Sequence, residues 1–212
     1  MTNALLSRRI MDRVGAAGLT LTPTEVQRLS DYYELLAKWN KRINLTSLQL
    51  DSISDSALDR LLVEPIVSKG LIGVVRGRWF DLGSGGGSPA VPLKILVPDV
   101  ELTMVESRSR KSAFLREAVR RLDLNRTSVW TGRIEDLGQA FPVGVAQLVT
   151  VRAVKVDAAL VEVTALLLGR GGQLVTFGPV APPDISAFPF EHLSSKSLPS
   201  GDSAIHAFTR TS

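Results

Sequence analysis

The chain has 212 residues, 44% of them hydrophobic, which suits one domain with an extension and argues against global disorder. It has no cysteine, which excludes disulfides, cysteine nucleophiles and thiolate metal sites. A net charge of +4 leans weakly towards an anionic partner such as RNA, so the placement of the arginines matters more than the total.

At the N-terminus, Arg8, Arg9, Asp12 and Arg13 interrupt any apolar run. Neither a signal peptide nor a membrane-spanning helix is expected, and the cytoplasm is the default location. Leu5, Leu6, Ile10 and Val14 give helical spacing over residues 4–17, with Gly18 as the stop. Thr22-Pro23-Thr24-Glu25 is a helix start, with Thr22 as N-cap and Glu25 closing a capping box. Val26, Leu29, Tyr33 and Leu36 form the apolar face of that helix, which should run to about Lys41, and Trp39 reads as core. A third helix is expected over residues 51–70, kinked or restarted at Pro65. Residues 1–75 therefore read as a helical extension.

From residue 76 strands and helices alternate, which predicts a parallel sheet covered by helices on both faces. Strands are expected at 79–82, 101–106, 127–131, 147–151 and 173–177. Ser109 is expected to cap a helix through Leu122, residues 156–168 to be helical, and Gly169–Gly172 to be a tight turn. The tail offers two short strands, 190–195 and 204–210, as an antiparallel closure of the sheet edge.

The stretch with the most chemistry is Asp81-Leu82-Gly83-Ser84-Gly85-Gly86-Gly87-Ser88-Pro89, a strand end running into a glycine loop. Glycines let a ligand lie on the backbone, and the next helix offers its positive N-terminus to a carboxylate or phosphate. A nicotinamide-dinucleotide loop needs glycine at the sixth position from Gly83, and Ser88 stands there. The spacing of Asp81, Gly83, Gly85 and Gly87 instead resembles the first motif of class I S-adenosylmethionine-dependent methyltransferases. Glu106, at the end of the second strand, can accept both hydroxyl protons of a ribose; the alternative is a solvated strand-end acid. That resemblance places the turn at Ile134 and Glu135 along the adenine and Ser88 at the amino-acid end of the cofactor. Arg152 closes the fourth strand and must find an anion or acceptor beside such a cleft.

Trp39-Asn40-Lys41-Arg42-Ile43-Asn44-Leu45-Thr46, the glycine loop, Val105-Glu106-Ser107, Arg110-Lys111, Phe114-Leu115-Arg116, Gly132-Arg133-Ile134-Glu135 and Val151-Arg152-Ala153 follow in order. Together they resemble the glucose-inhibited division protein B family, bacterial 16S ribosomal RNA guanine-N7 methyltransferases, over about residues 20–180. The resemblance implies a Rossmann-like α/β fold with a helical extension over 1–75 and a cofactor domain over 76–212. It implies S-adenosylmethionine as cofactor, no metal, and 16S RNA or a small-subunit assembly intermediate as partner of a monomer. Arg152 would touch the cofactor or the guanine, and Arg152→Ala would cut turnover while sparing the fold. Arg133 and Arg110 would share a rim and hold phosphates, although Arg110 also reads as a solvated helix start. Asn44 would shape the pocket or serve a turn, and Asp59 would position the N-terminal helices. Guanine N7 has a lone pair and no proton, so no general base is required; His192 and His206 read as structural or surface residues.

The chain departs from the family pattern at Asp55 and Ser56, where an arginine–histidine pair is usual, at Phe177, where a lysine is frequent, and at Ala90, where glycine is usual. Cofactor-side positions match better than RNA-side ones. Two other functions stay open at this point: methyl transfer to another RNA or a small molecule, and a non-catalytic protein that senses cofactor or RNA.

Overall fold

The computed structural model describes residues 3–72, 77–198, 201 and 203–212. The expected division between extension and cofactor domain, at 75/76, lies outside the described residues.

Helix α1 spans Asn3–Ala16 and α2 Pro23–Asn40. The start of α2 is the predicted capping box: the Thr22 hydroxyl accepts from Glu25 N and the Glu25 carboxylate from Thr22 N. The expected third helix is broken into α3 (Asp55–Leu58), a wide π turn (Asp59–Val63) and α4 (Glu64–Ile72). Pro65 has no N–H to give the carbonyl of Leu61, four residues earlier. That carbonyl accepts from the Ser88 hydroxyl instead, at 3.0 Å. Asp59 ties the π turn to α1 through two bonds from Arg13, 2.9 and 2.5 Å long.

The sheet comprises β1 (Arg78–Leu82), β2 (Glu101–Glu106), β3 (Thr127–Thr131), β4 (Ala146–Arg152), β5 (Leu168–Pro179), β6 (Phe190–Ser197) and β7 (Ser203–Arg210). Their order is β3-β2-β1-β4-β5-β7-β6. The first five are parallel, and β7 is antiparallel to β5 and to β6. The order reverses between β1 and β4, and ligands of open parallel sheets bind at such a switch point, outside the carboxyl ends of the strands.

Alternation along β1 sets the two faces. Trp79 joins Leu29, Tyr32, Leu36, Phe114 and Leu115 in one core with α1, α2, α4 (Glu64–Ile72), α5 (Ala90–Leu96) and α6 (Ser109–Arg121). Phe80 and Leu82 face the other core, with α7 (Leu137–Ala140) and α8 (Ala158–Leu167). Trp39 packs edge-on to Phe114 at 5.8 Å, as a core residue.

Some expectations fail locally. Ser109 is the first residue of α6, not its cap; Arg108 holds the cap position and gives its N–H to Glu106. Helix α8 starts later, at Ala158, because Asp157 caps it by accepting from Leu160 N. Gly169–Gly172 is not a turn between elements. Ala146 pairs with Leu168 and Leu148 with Gln173, so these glycines form a bulge within β5.

Candidate active site

The glycine loop runs from the end of β1 into α5, anchored to the neighbouring strand by Gly83 and Ser84 N–H groups on the Val105 carbonyl, at 3.0 and 2.9 Å. Gly83, Gly85 and Gly87 all have left-handed φ, at 76°, 51° and 88°. Two of them serve different ends. A Cβ at Gly85 would meet nothing closer than 3.7 Å, so its free side opens on the cleft. A Cβ at Gly87 would fall 2.9 Å from Val91 and 3.5 Å from Tyr32 and Leu115, so Gly87 permits close packing of the helices beneath. The helix that follows, α5, is fully buried and has seven residues, with Val91 N already given to Gly87 O. It presents no free anion site of its own.

The cleft above the loop measures about 610 Å³. Gly83, Gly85, Ser88, Glu106, Arg133, Ile134, Glu135 and Arg152 all line it. Glu106 Oε2 accepts from Gly85 N at 3.0 Å and Oε1 from Arg108 N at 2.8 Å. Each oxygen has a further lone pair for a hydroxyl donor. Arg133 extends from the cleft edge, 76% exposed, and lies 3.7 Å from the Glu135 carboxylate.

Asp81 is beneath the cleft rather than on its wall. It is fully buried, on the face shared with Trp79. Thr150 receives the Trp79 indole N–H at 2.9 Å and donates to Asp81 Oδ1 at 2.5 Å, while Asp81 Oδ2 has no partner. Burial pushes the Asp81 carboxyl up to about 6, against the pull of the Ser84 and Thr150 hydroxyls and the charge of Arg152. A buried carboxylate with an unused oxygen under a glycine loop is suited to a cationic ligand group.

Arg152 has found its anion within the fold. Its guanidinium pairs with the Glu64 carboxylate, touches Ser88 Oγ at 3.3 Å and lies over the Phe177 ring at 5.2 Å. Burial pushes the Glu64 carboxyl up and Arg152 down to about 10, each offset by the partner's charge. Ser88, expected at the amino-acid end of a cofactor, donates to Leu61 O and so faces the helical layer as well as the cleft.

Arg110 and Asn44 do not reach this cleft. They line a neighbouring one of about 630 Å³, with Arg42, Arg108 and Lys111; Arg108 and Lys111 border both. Arg133 and Arg110 therefore do not share a rim, because the strand-end turn after β3 and the start of α6 open on different hollows. The asparagine that shapes the loop is Asn40, whose Oδ1 accepts from Leu45 N at 2.9 Å and Thr46 N at 3.0 Å. A helix-terminal asparagine before a turn was the available signal. Glu64, Thr150 and Tyr32 carried no local signal at all. The histidines are structural or peripheral: His206 is buried and bonded to Ser195 and to Pro179 O, and His192 is exposed.

Tyr32 donates to the Gly86 carbonyl at 2.7 Å from a fully buried position. Tyr32→Phe is expected to cost about 1 kcal/mol in urea unfolding and to weaken cofactor affinity measurably by calorimetry. Wild-type values for both would mean that this tether does not hold the loop.

Among the described residues no helix is long and apolar enough to cross a membrane, and no group of three or more His, Asp or Glu side chains could hold a metal ion.

The fold is similar to that of a SAM-dependent methyltransferase from Aquifex aeolicus, with a TM-score of 0.60 at 10% identity over 74% of this chain and 94% of that one. A putative methyltransferase from Escherichia coli matches with a TM-score of 0.55 at 16% identity over 71% and 85%. In sequence, the chain is 36% identical over 176 residues to the ribosomal RNA small subunit methyltransferase G of Neisseria meningitidis serogroup A, covering 82% of this chain and 80% of that one. The protein of that name from Cupriavidus metallidurans is 33% identical, over 85% and 78%. The model of one family, rRNA small subunit methyltransferase G, matches residues 25–180. With a Rossmann-like methyltransferase sheet, the glycine loop at its switch point and this match over most of its length, the chain belongs to the rRNA small subunit methyltransferase G family.

Proposed function

We propose that the protein transfers the methyl group of S-adenosylmethionine to N7 of a guanine in 16S ribosomal RNA. The observation that carries the cofactor half is the pair of carboxylates around one loop: Asp81 below it with an unused buried oxygen, and Glu106 beside it with lone pairs free. Glu106 would hold the ribose hydroxyls, Ile134 and Glu135 would face the adenine, and Gly83 and Gly85 would floor the site. Asp81 would sit beneath the cationic end. S-adenosylmethionine supplies, when bound, a methyl group on a sulfonium, which takes back the bonding pair as the methyl leaves.

The chain's own task is then placement. Guanine N7 offers a lone pair and carries no proton, so no side chain has to act as base, and rate comes from orientation and charge. Arg152, fixed by Glu64 and Phe177, would line the junction where donor and acceptor meet. The open cations Arg42, Arg108, Arg110 and Lys111 suit RNA phosphates. Residues 1–75 would act as a helical extension that underlies the cofactor loop and faces the RNA, in a monomer working in the cytoplasm on 16S RNA or an assembling small subunit.

Mass mapping of 16S RNA from a strain lacking the gene is expected to show one N7-methylguanine missing, restored by the wild-type gene. An unchanged map would move the activity to another acceptor.

A further inference from the structure

A second cavity, of about 860 Å³, adjoins the cofactor cleft; Leu48, Arg60, Ala153 and Val154 line both. The carboxyl end of β5, from Thr176 to Pro179, forms part of its wall, and Glu64 another part. Most of the remaining surface is apolar, including Val151, Phe177 and Pro183.

Three features single it out. Thr176 is 3% exposed and its hydroxyl has no partner within the protein. A buried, unpaired hydroxyl is costly in a folded chain and points to a ligand group that completes it. Glu64 presents a carboxylate whose Oε2 is held by Arg152 and lies 3.7 Å from Arg60, which fixes its direction. Ala153, on the shared wall, has φ 56°, a conformation that residues with a Cβ rarely adopt and that tends to persist at functional positions.

We propose that this cavity receives the acceptor base, turned out of its RNA stack, and that Glu64 and Thr176 read it. The inference rests on the RNA-methylating function above. Enzymes that modify a base remove it from the stack, hold its faces between apolar side chains and bond its Watson–Crick edge. Guanine presents two donors there, N1–H and the N2 amino group, which a carboxylate accepts. Adenine presents an unprotonated N1, which a carboxylate repels. The shared lining brings a base in this cavity alongside the cofactor cleft, so that N7, which lies off the Watson–Crick edge, is left to meet the methyl group. Lys155, also on the lining, forms no ion pair among the described residues and is available to the phosphate of the extruded nucleotide.

Gly178 supplies the test. A Cβ added there meets nothing within 4 Å, so Gly178→Leu extends a side chain into open space on the cavity lining. The variant is expected to keep the wild-type thermal midpoint and S-adenosylmethionine affinity, and to lose about 100-fold in RNA methylation. Thr176→Val, which removes the unpaired hydroxyl, is expected to keep or raise the thermal midpoint while kcat/KM on RNA falls about tenfold. By calorimetry, guanosine monophosphate is expected to bind wild type about tenfold more tightly than inosine monophosphate, which lacks the N2 amino group, and neither is expected to bind Gly178→Leu. Full methylation by Gly178→Leu, or equal binding of the two nucleotides, overturns the base site while leaving the enzyme's function intact. A wild-type protein that methylates no RNA removes the function, and the base site with it.

Discussion

Glu64→Ala is expected to destabilise the protein by about 3–5 kcal/mol, the usual cost of breaking a buried ion pair from one side. Glu64 is 1% exposed and Arg152 8% exposed, so removal of the carboxylate leaves a guanidinium in the interior with Arg60 as a second nearby cation. Chemical denaturation at pH 7 reads the effect, and a loss below about 1 kcal/mol would show that water reaches Arg152. The same pairing alters what Arg152→Ala can mean. The sequence presents Arg152 as a residue whose removal spares the fold. Burial against Glu64 makes that variant a stability defect as well, because it strands the carboxylate. The double variant Glu64→Leu with Arg152→Met separates stability from function. It is expected to recover most of the stability, since replacing both members of a buried pair with apolar groups is often neutral, and to stay inactive. Recovered activity would remove both Arg152 and Glu64 from the chemistry.

Asp81→Asn is expected to weaken S-adenosylmethionine binding about 10–100-fold while the ligand-free protein becomes more stable at pH 7. The sign follows from the proton. In the fold burial pushes the Asp81 carboxyl from its ordinary 3.8 up to about 6. Between those values the unfolded chain has released a proton that the folded protein retains. Stability from this group is therefore lost as pH rises from about 4 to 6, and at pH 7 the deprotonated carboxylate costs on the order of 3 kcal/mol. Asparagine keeps an acceptor for Thr150 and removes that cost. Cofactor affinity runs the opposite way, falling in wild type as pH drops through 6 and staying flat in Asp81→Asn. A variant that binds as tightly as wild type, or a flat wild-type profile, would detach Asp81 from the cofactor.

The elements with a strong local code were legible in the sequence. The capping box at Thr22 and the strands at 101–106 and 127–131 appear where periodicity and turn residues put them. The glycine spacing and the acid at the end of the second strand pointed to the cleft above the loop, because both are local patterns. What stayed hidden depends on residues far apart in the chain. Glu64 lies 88 positions from Arg152, and Tyr32 lies 54 from Gly86. No spacing rule links them. The second cavity likewise arises from the meeting of the π turn, the segment after β4 and the end of β5. The bulge at Gly169–Gly172 has the sequence of a turn, because the same glycines that signal a turn also let a strand absorb extra residues.

The hydrogen bond from Tyr32 to the glycine loop, and the bond from Ser88 back to the carbonyl that Pro65 leaves free, bear on whether the cofactor half is portable. In a modular enzyme the nucleotide-binding half can be cut out or grafted behind a new substrate-recognition unit. Here the underside of the loop is finished by side chains from α2 and by a carbonyl of the π turn. A chain trimmed to the sheet and its later helices would lose that support, expose Trp79, Leu93 and Phe114, and aggregate before it bound anything. Swapping acceptor specificity in this scaffold therefore calls for substitutions within the intact chain rather than exchange of its first helices.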